Sequence, residues 1–370
     1  MAARIARGAI GSVYVCRKVK GEDPNRLLTL KVIRQHTLHQ DLAEASFRRE
    51  VRVGSLFRHP NAQTVIDTGI YDGQRFLIFE YVDGACLAEM MVGENRPSPA
   101  VVVAIVLETL TALQALHDAT DAKGRWLGLV HCDISPENVL VGVDGVTRLS
   151  DFGSARLTAI SNQAQTLGLC KPSYMPPEQF RGEKLDSRSD LYSLGVLLWT
   201  ALTGRQPFTA DTFDEVATKV LRMKVSPPSA HGGPACLDDV CMQAMNRSPE
   251  GRFLVASAMA AALRTSALAN NLIESPAGVG EWVRRNLGDR LAERHRLIEA
   301  VLAAGAKESA EVQSRASDHP EQGQGGHEDA DTARVTRPRR ALATQIKAAK
   351  ASVAGTFRTL FDRARRQRRG

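Results

Sequence analysis

Residues 131–153 read HCDISPENVLVGVDGVTRLSDFG, and no other stretch restricts the chain as much. Two carboxylates and an amide, Asp133, Asn138 and Asp151, flank an apolar ENVLV run and a turn signal at Val143-Asp144-Gly145. The local reading is loop, strand, turn, strand. A short hairpin between Asn138 and Asp151 returns both ends to one edge of a sheet. There the two side chains can share magnesium ions, and Asp133 can face an incoming hydroxyl. Hard oxygen donors suit magnesium and not zinc. A surface hairpin carrying scattered acids has no need of this spacing.

His-x-Asp, an Asn five residues on and then Asp-Phe-Gly is a long pattern. In it the segment resembles the catalytic and magnesium loops of the eukaryotic-like Ser/Thr protein kinases of bacteria, and the resemblance extends over about residues 1–265. It implies an α+β, two-lobed protein kinase-like fold, with a small mostly β lobe at 1–83 and a large mostly helical lobe at 84–265. It also implies ATP and Mg²⁺ as cofactors, protein hydroxyls as substrates, and this chain among them. Under it Asp133 is the catalytic carboxylate, and Asn138 and Asp151 are the metal ligands.

In the small lobe, Ile5 to Tyr14 reads IARGAIGSVY, similar to the kinase glycine-rich loop with Ala6 in place of the first glycine and Gly8, Gly11 and Val13 in register. Glycines there let backbone N–H groups approach phosphates closely. Only five residues precede Ala6, so the first strand is expected to be nearly absent, with either a true start upstream or a short edge to the sheet. Lys31, in the apolar strand Leu27 to Ile33, is implied to hold the α- and β-phosphates, with Glu50 of the helical stretch Leu42 to Phe57 as its partner. A buried lysine without phosphate or carboxylate would be costly. Gly54 falls where kinases usually carry a large apolar residue. Looser coupling of that helix to Phe152 follows unless Leu56 or Phe57 fills the gap.

Arg75 to Asp83 resembles the strand and hinge that bind adenine through the main chain. Glu80 and Val82 are implied to make those bonds, with Phe79 behind the pocket and Val13, Thr29 and Leu140 around the base. Pro99 to His117 has helical apolar spacing and reads as scaffold. His131 is expected to pack on Phe152 as a structural residue. Cys132 replaces the arginine on which a phosphorylated loop docks in many kinases, so activity ungated by that ion pair is expected. A disulfide between Cys132 and Cys170 has little support in a reducing cytosol.

Ser135 stands where many Ser/Thr kinases hold a lysine. A missing cation at ~4 Å from the transferring phosphoryl group would cost about 4 kcal/mol at an effective dielectric near 20, roughly a thousandfold in rate. Lys171, at the threonine position of the CKPSYMPPEQ segment, is the candidate replacement. Thr158, Ser161 and Thr166 are candidate autophosphorylation sites. Glu178 with Arg252, and Asp190 beneath the catalytic loop, are expected as supports. The competing reading is a pseudokinase scaffold that binds nucleotide weakly and works through its tail. Ala6, Gly54, Cys132 and Ser135 favour it, and the intact set Lys31, Asp133, Asn138 and Asp151 opposes it.

Beyond the lobes, residues 266–306 read as a helical extension, 307–333 as an acidic flexible linker and 334–370 as a basic amphipathic tail, giving a disordered, basic end to the chain. Of the net charge of +7, the tail carries 12 basic and 1 acidic residues and residues 307–331 carry 2 and 7, so the lobes are close to neutral. An anionic membrane surface or an acidic partner suits the tail. Nucleic acid does not, since no aromatic platform or recognition fold accompanies the charge. His319 and His327 read as solvated. The six cysteines form no CxxC pair, so neither a zinc site nor a disulfide framework is indicated. With no uninterrupted apolar run of ~18 residues and no leader pattern at Met1, a cytoplasmic protein, peripheral at the membrane through its tail, is expected.

Overall fold

A computed structural model describes residues 2–7, 11–17, 26–33, 40–71, 73–93, 95–157 and 171–317. Gly8, Cys170, the three candidate phosphosites, both linker histidines and the basic tail lie outside the described residues.

The small lobe is a five-stranded antiparallel sheet with one helix. Its strands are β1 (Ala2–Arg7), β2 (Gly11–Arg17), β3 (Leu27–Ile33), β4 (Val65–Tyr71) and β5 (Gln74–Glu80), in the order β1-β2-β3-β5-β4. Helix α1 (Gln40–Leu56) lies on it, with Ala43 and Phe47 packed against Ile33, Leu77 and Phe79. The first strand is present, contrary to the expectation from its short lead. It pairs with β2 from Ala2↔Cys16 to Arg7↔Ser12. A strand of six residues suffices because β2 templates its backbone and a distant helix buries Ala3.

Chain connection between the lobes runs through residues 81–83 into β6 (Gly84–Cys86) and the single turn α2 (Leu87–Met90). Helix α3 (Pro99–His117) starts on a Ser98 cap that accepts from the Val101 N–H, with proline in the first turn. It is long and apolar enough to cross a membrane by composition. The fold accounts for that character, since Val103, Ile105, Val106, Ala112 and Leu113 are fully buried in the large lobe.

Next come β7 (Leu129–Val130), the hairpin β8 (Val139–Gly142) and β9 (Thr147–Leu149), and β10 (Arg156–Leu157), which pairs with β7. The hairpin forms as its turn residues foretell: Val139 faces Leu149, and the Gly145 N–H donates to the Gly142 carbonyl across the turn. Helices α4 (Pro177–Phe180), α5 (Ser187–Thr203), α6 (Phe213–Arg222), α7 (Asp238–Ala244) and α8 (Ala256–Ala269) complete the large lobe. The last of these runs a few residues past the boundary expected at 265. Helix α5 opens on a reciprocal cap between Asp186 and Ser189 and ends at Gly204, which adopts φ +67°.

One further helix, α9 (Pro276–Ser317), follows. It is continuous through the start of the stretch expected as linker, because AKESAEVQSRAS is built of good helix formers.

Candidate active site

Lys31 projects from the centre of the small-lobe sheet and is 9% exposed. Its ammonium lies 2.9 Å from Glu50 Oε2 on α1 and 2.9 Å from Asp151 Oδ1. Burial pulls an ammonium toward neutrality, but the carboxylates of Asp151 and Glu50 outweigh it and hold Lys31 above its ordinary range. Burial likewise works to raise the Asp151 carboxyl, and the Lys31 charge and hydrogen bond bring it below the usual carboxylate range. Asp151 sits in the left-handed region at φ 61°, a conformation that aims its side chain back at Lys31 while Oδ1 also accepts from the Gly153 N–H at 3.3 Å.

The following residues lock that geometry. Phe152 is buried between His131, ring centroids 5.1 Å apart, and Phe57, 5.8 Å apart, both edge to face. Phe57 therefore supplies the apolar contact that Gly54 lacks, while Leu56 stays 38% exposed. The space beside Gly54 is taken by Val65 of β4, whose Cγ2 would lie 2.4 Å from an added Cβ. Arg49 on α1 donates through Nε to the Gly153 carbonyl at 2.8 Å, so one residue of α1 holds the Asp-Phe-Gly turn directly and the next, Glu50, reaches it through Lys31. Sequence reasoning found Glu50 and passed over Arg49; its adjacency to Glu50 was the only available signal.

The catalytic loop hangs from α5. Asp190, 1% exposed, accepts the His131 N–H at 2.8 Å and the Cys132 N–H at 2.9 Å, and pairs with His117 at 2.8 Å. This anchoring holds Cys132 at φ 64°, outside the range most side chains adopt. His131 is fully buried, its Nε2 against the Ser150 carbonyl at 3.1 Å, and burial keeps its pKa low, in keeping with a packing role.

Asp133 meets Asn138, whose Nδ2 donates to the Asp133 carbonyl at 2.8 Å and to its Oδ2 at 3.0 Å. Burial and the nearby Asp151 charge push the Asp133 carboxyl up to about 7, against the opposing pull of Asn138 and Lys171. With its amide N–H groups so used, Asn138 keeps Oδ1 without a donor among the described residues. That oxygen and the Asp151 carboxylate form a hard donor pair of the kind magnesium takes alongside phosphate oxygens.

Two sequence candidates, Ser135 and Lys171, have surroundings that spacing alone did not indicate. Ser135 is fully buried, and its hydroxyl finds no partner among the described residues, so it does not line the cleft. Lys171 lies close enough to Asp133 to lower its pKa, but its direct ion-pair partner is Glu137, a contact that sequence spacing did not suggest. On the adenine side, Val13 is in register with Lys31, and Thr29 with Phe79, which is 3% exposed. Leu140 sits in the β6–β8 ladder opposite Cys86. Gln63 Nε2 donates to the Glu80 carbonyl at 3.1 Å, a further unforeseen contact with the strip implied to face adenine.

The scaffold pair also forms. Glu178 and Arg252 join through two parallel bonds of 2.7 Å, with Arg252 stacked 4.8 Å from the Tyr192 ring.

A strand lysine gripped by a helix carboxylate and a loop aspartate, between a five-stranded lobe and a helical one, defines the protein kinase-like class. The chain belongs to the protein kinase family: the family model described as Protein kinase domain matches residues 2–262. It is 34% identical over 277 residues to the serine/threonine-protein kinase pkn3 of Myxococcus xanthus, covering 71% of this chain and 48% of that one. It is 31% identical over 267 residues to the serine/threonine-protein kinase PknB of Mycobacterium tuberculosis, covering 69% and 41%. A probable serine/threonine-protein kinase of Clostridium perfringens, CPE1738, shares 30% over 257 residues, covering 68% and 36%. The chain thus spans half or less of the length of these bacterial relatives.

Proposed function

We propose that this chain is a serine/threonine protein kinase that transfers the γ-phosphoryl group of MgATP to hydroxyls of proteins, its own included. The observation that carries this reading is Lys31 held at 2.9 Å from both Glu50 and Asp151, with Asp133 and Asn138 hydrogen-bonded to each other in the neighbouring loop.

Lys31 binds the α- and β-phosphates, and Glu50 keeps its ammonium aimed into the cleft. Ala6 and Gly11, on the two strands that flank the glycine-rich stretch, are read as part of the phosphate cover, and main-chain groups of Glu80 and Val82 take the adenine. Neutralising the charge on the β- and γ-phosphate oxygens is what magnesium supplies when held by Asn138 and Asp151. Asp133 orients the substrate hydroxyl and accepts its proton as that oxygen bonds to the γ-phosphorus. The bond from phosphorus to the bridging oxygen breaks, and its electron pair leaves with ADP. Lys171, steadied by Glu137, supplies the positive charge that position 135 does not.

Incubation with radiolabelled ATP and Mg²⁺ tests this directly: the intact chain labels itself and Asp133→Asn does not. Equal labelling of the two would remove Asp133 from the reaction. The basic segment 334–370 is read as a docking element for an anionic membrane surface or an acidic partner, on the cytoplasmic side. Sedimentation of the full chain with phosphatidylserine vesicles, lost on deletion of 334–370, is the expected result.

A further inference from the structure

Helix α9 has one buried stripe that is shared between the two lobes. Val279, Val283, Leu287 and Leu291 recur every fourth residue and belong to the large-lobe core. Ile298, seven residues beyond Leu291, and Leu302 stay on that helix face, 2% and 9% exposed, but pack with Ala3 of β1 and Val15 of β2 in the small lobe, with Leu27 and Tyr81 at the margin. From Val279 to Leu302 a straight helix extends roughly 35 Å. A single rigid element is therefore seated on both lobes at once.

The polar residues between its two apolar halves face the interlobe connection. Arg294 donates to the Gly84 carbonyl at 2.8 Å and pairs with Glu89 at 3.1 Å, and Arg290 meets the same Glu89 at 3.1 Å. His295 lies 2.7 Å from Asp83. Glu89 in turn accepts the Cys86 N–H at 3.1 Å, so the anchor reaches the backbone of β6. Near its start, α9 lies against the β8–β9 turn, where the Gly145 position touches the Pro276 carbonyl and Arg284 donates to the Val143 carbonyl. Each of these contacts falls on a segment that borders the cleft: the strands leading into and out of the glycine-rich loop, the hinge, and the hairpin that bears Leu140.

We infer that α9 is a brace for the nucleotide cleft, with Arg294 as a positioning residue for the hinge and Ile298 and Leu302 as the seat for the glycine-rich-loop strands. The brace fixes how far the lobes open and where residues 80–84 present their main-chain groups. Its loss therefore weakens capture of the nucleotide more than it slows transfer. This rests on the kinase reading above, and the two fail in different ways under test.

The measurement uses the full chain and three proteins: wild type, Arg294→Ala and Ile298→Asp. MgATP affinity is read by calorimetry, and the KM for ATP, the KM for a peptide substrate and kcat by steady-state kinetics, well below each protein's unfolding midpoint. Arg294→Ala is expected to weaken MgATP binding and raise KM for ATP about tenfold, the size of one charge-assisted hydrogen bond. The peptide KM should stay within about twofold. Ile298→Asp is expected to do the same or more. Arg294→Lys, which keeps the charge opposite Glu89, should recover part of the loss. A wild type that binds no MgATP would overturn the kinase reading itself. A wild type that binds, beside an Arg294→Ala protein with unchanged KM for ATP, would overturn the brace even if the unfolding midpoint had dropped. Should Ile298→Asp not fold, Arg294→Ala decides alone, since it leaves the apolar seat untouched.

Discussion

Burial and the Asp151 charge push the Asp133 carboxyl up to about 7, and two further neighbours, Lys171 and Glu137, act on it with opposite signs. The basic form is the one that accepts a proton, so kcat/KM is expected to climb with pH through the neutral range and to level off above it. Lys171 favours the charged carboxylate. In Lys171→Met the midpoint should therefore move to higher pH, together with a lower plateau from the lost cation near the phosphoryl group. Glu137 acts against the carboxylate and pairs with Lys171, so Glu137→Gln should move the midpoint to lower pH. A pH–rate profile of the three proteins checks both signs, and a Lys171→Met profile superimposable on wild type would remove Lys171 from the site. At this scale the sequence was readable where the chemistry is local: Asp133, Asn138 and Asp151 lie within twenty residues of one another. It was silent where burial decides. Ser135 occupies a position that implies contact with phosphate, yet the backbone turns it fully inward.

Two helical glycines separate the effects of packing from those of propensity. Gly54 in α1 lies against Val65, where an added Cβ would meet Cγ2 at 2.4 Å. Gly54→Ala should push α1 from β4 and cost about 1–3 kcal/mol in urea unfolding. Because Glu50 rides on the same helix turn, the KM for ATP should rise as well. Gly288 in α9 has nothing within 4 Å of the added Cβ. Gly288→Ala should stabilise the protein by about 0.5–1 kcal/mol in the same assay, from helix propensity and lower freedom of the unfolded chain. Opposite signs for one chemical change would separate the clash with Val65 from the gain in helix propensity. Elements were legible to different degrees for the same reason. Pro99–His117 is foretold by its apolar spacing and its cap. The first strand was underestimated because the residues that bury it, Ile298 and Leu302, come nearly three hundred positions later.

Across the whole molecule, the large lobe is held by a charged pair sealed from water: the Arg252 side chain is 0% exposed and that of Glu178 3%. Removing one partner strands the other. Arg252→Met is expected to lower stability by about 3–5 kcal/mol, measured by chemical unfolding, whereas Arg181→Met, at an exposed pair with Glu183, should change it by less than about 1 kcal/mol. The two-lobed plan was legible because landmarks in the catalytic loop, the activation segment and the helices beyond occur in a fixed order. The route of α9 was not, since Arg294 meets the Gly84 carbonyl across 210 positions and no local pattern encodes such a contact. In the described chain Lys31 already holds Glu50 and Asp151 together, and Phe152 is already seated between His131 and Phe57. Under the proposed reading, restraint of the transfer would have to prise those groups apart or keep the hydroxyl away.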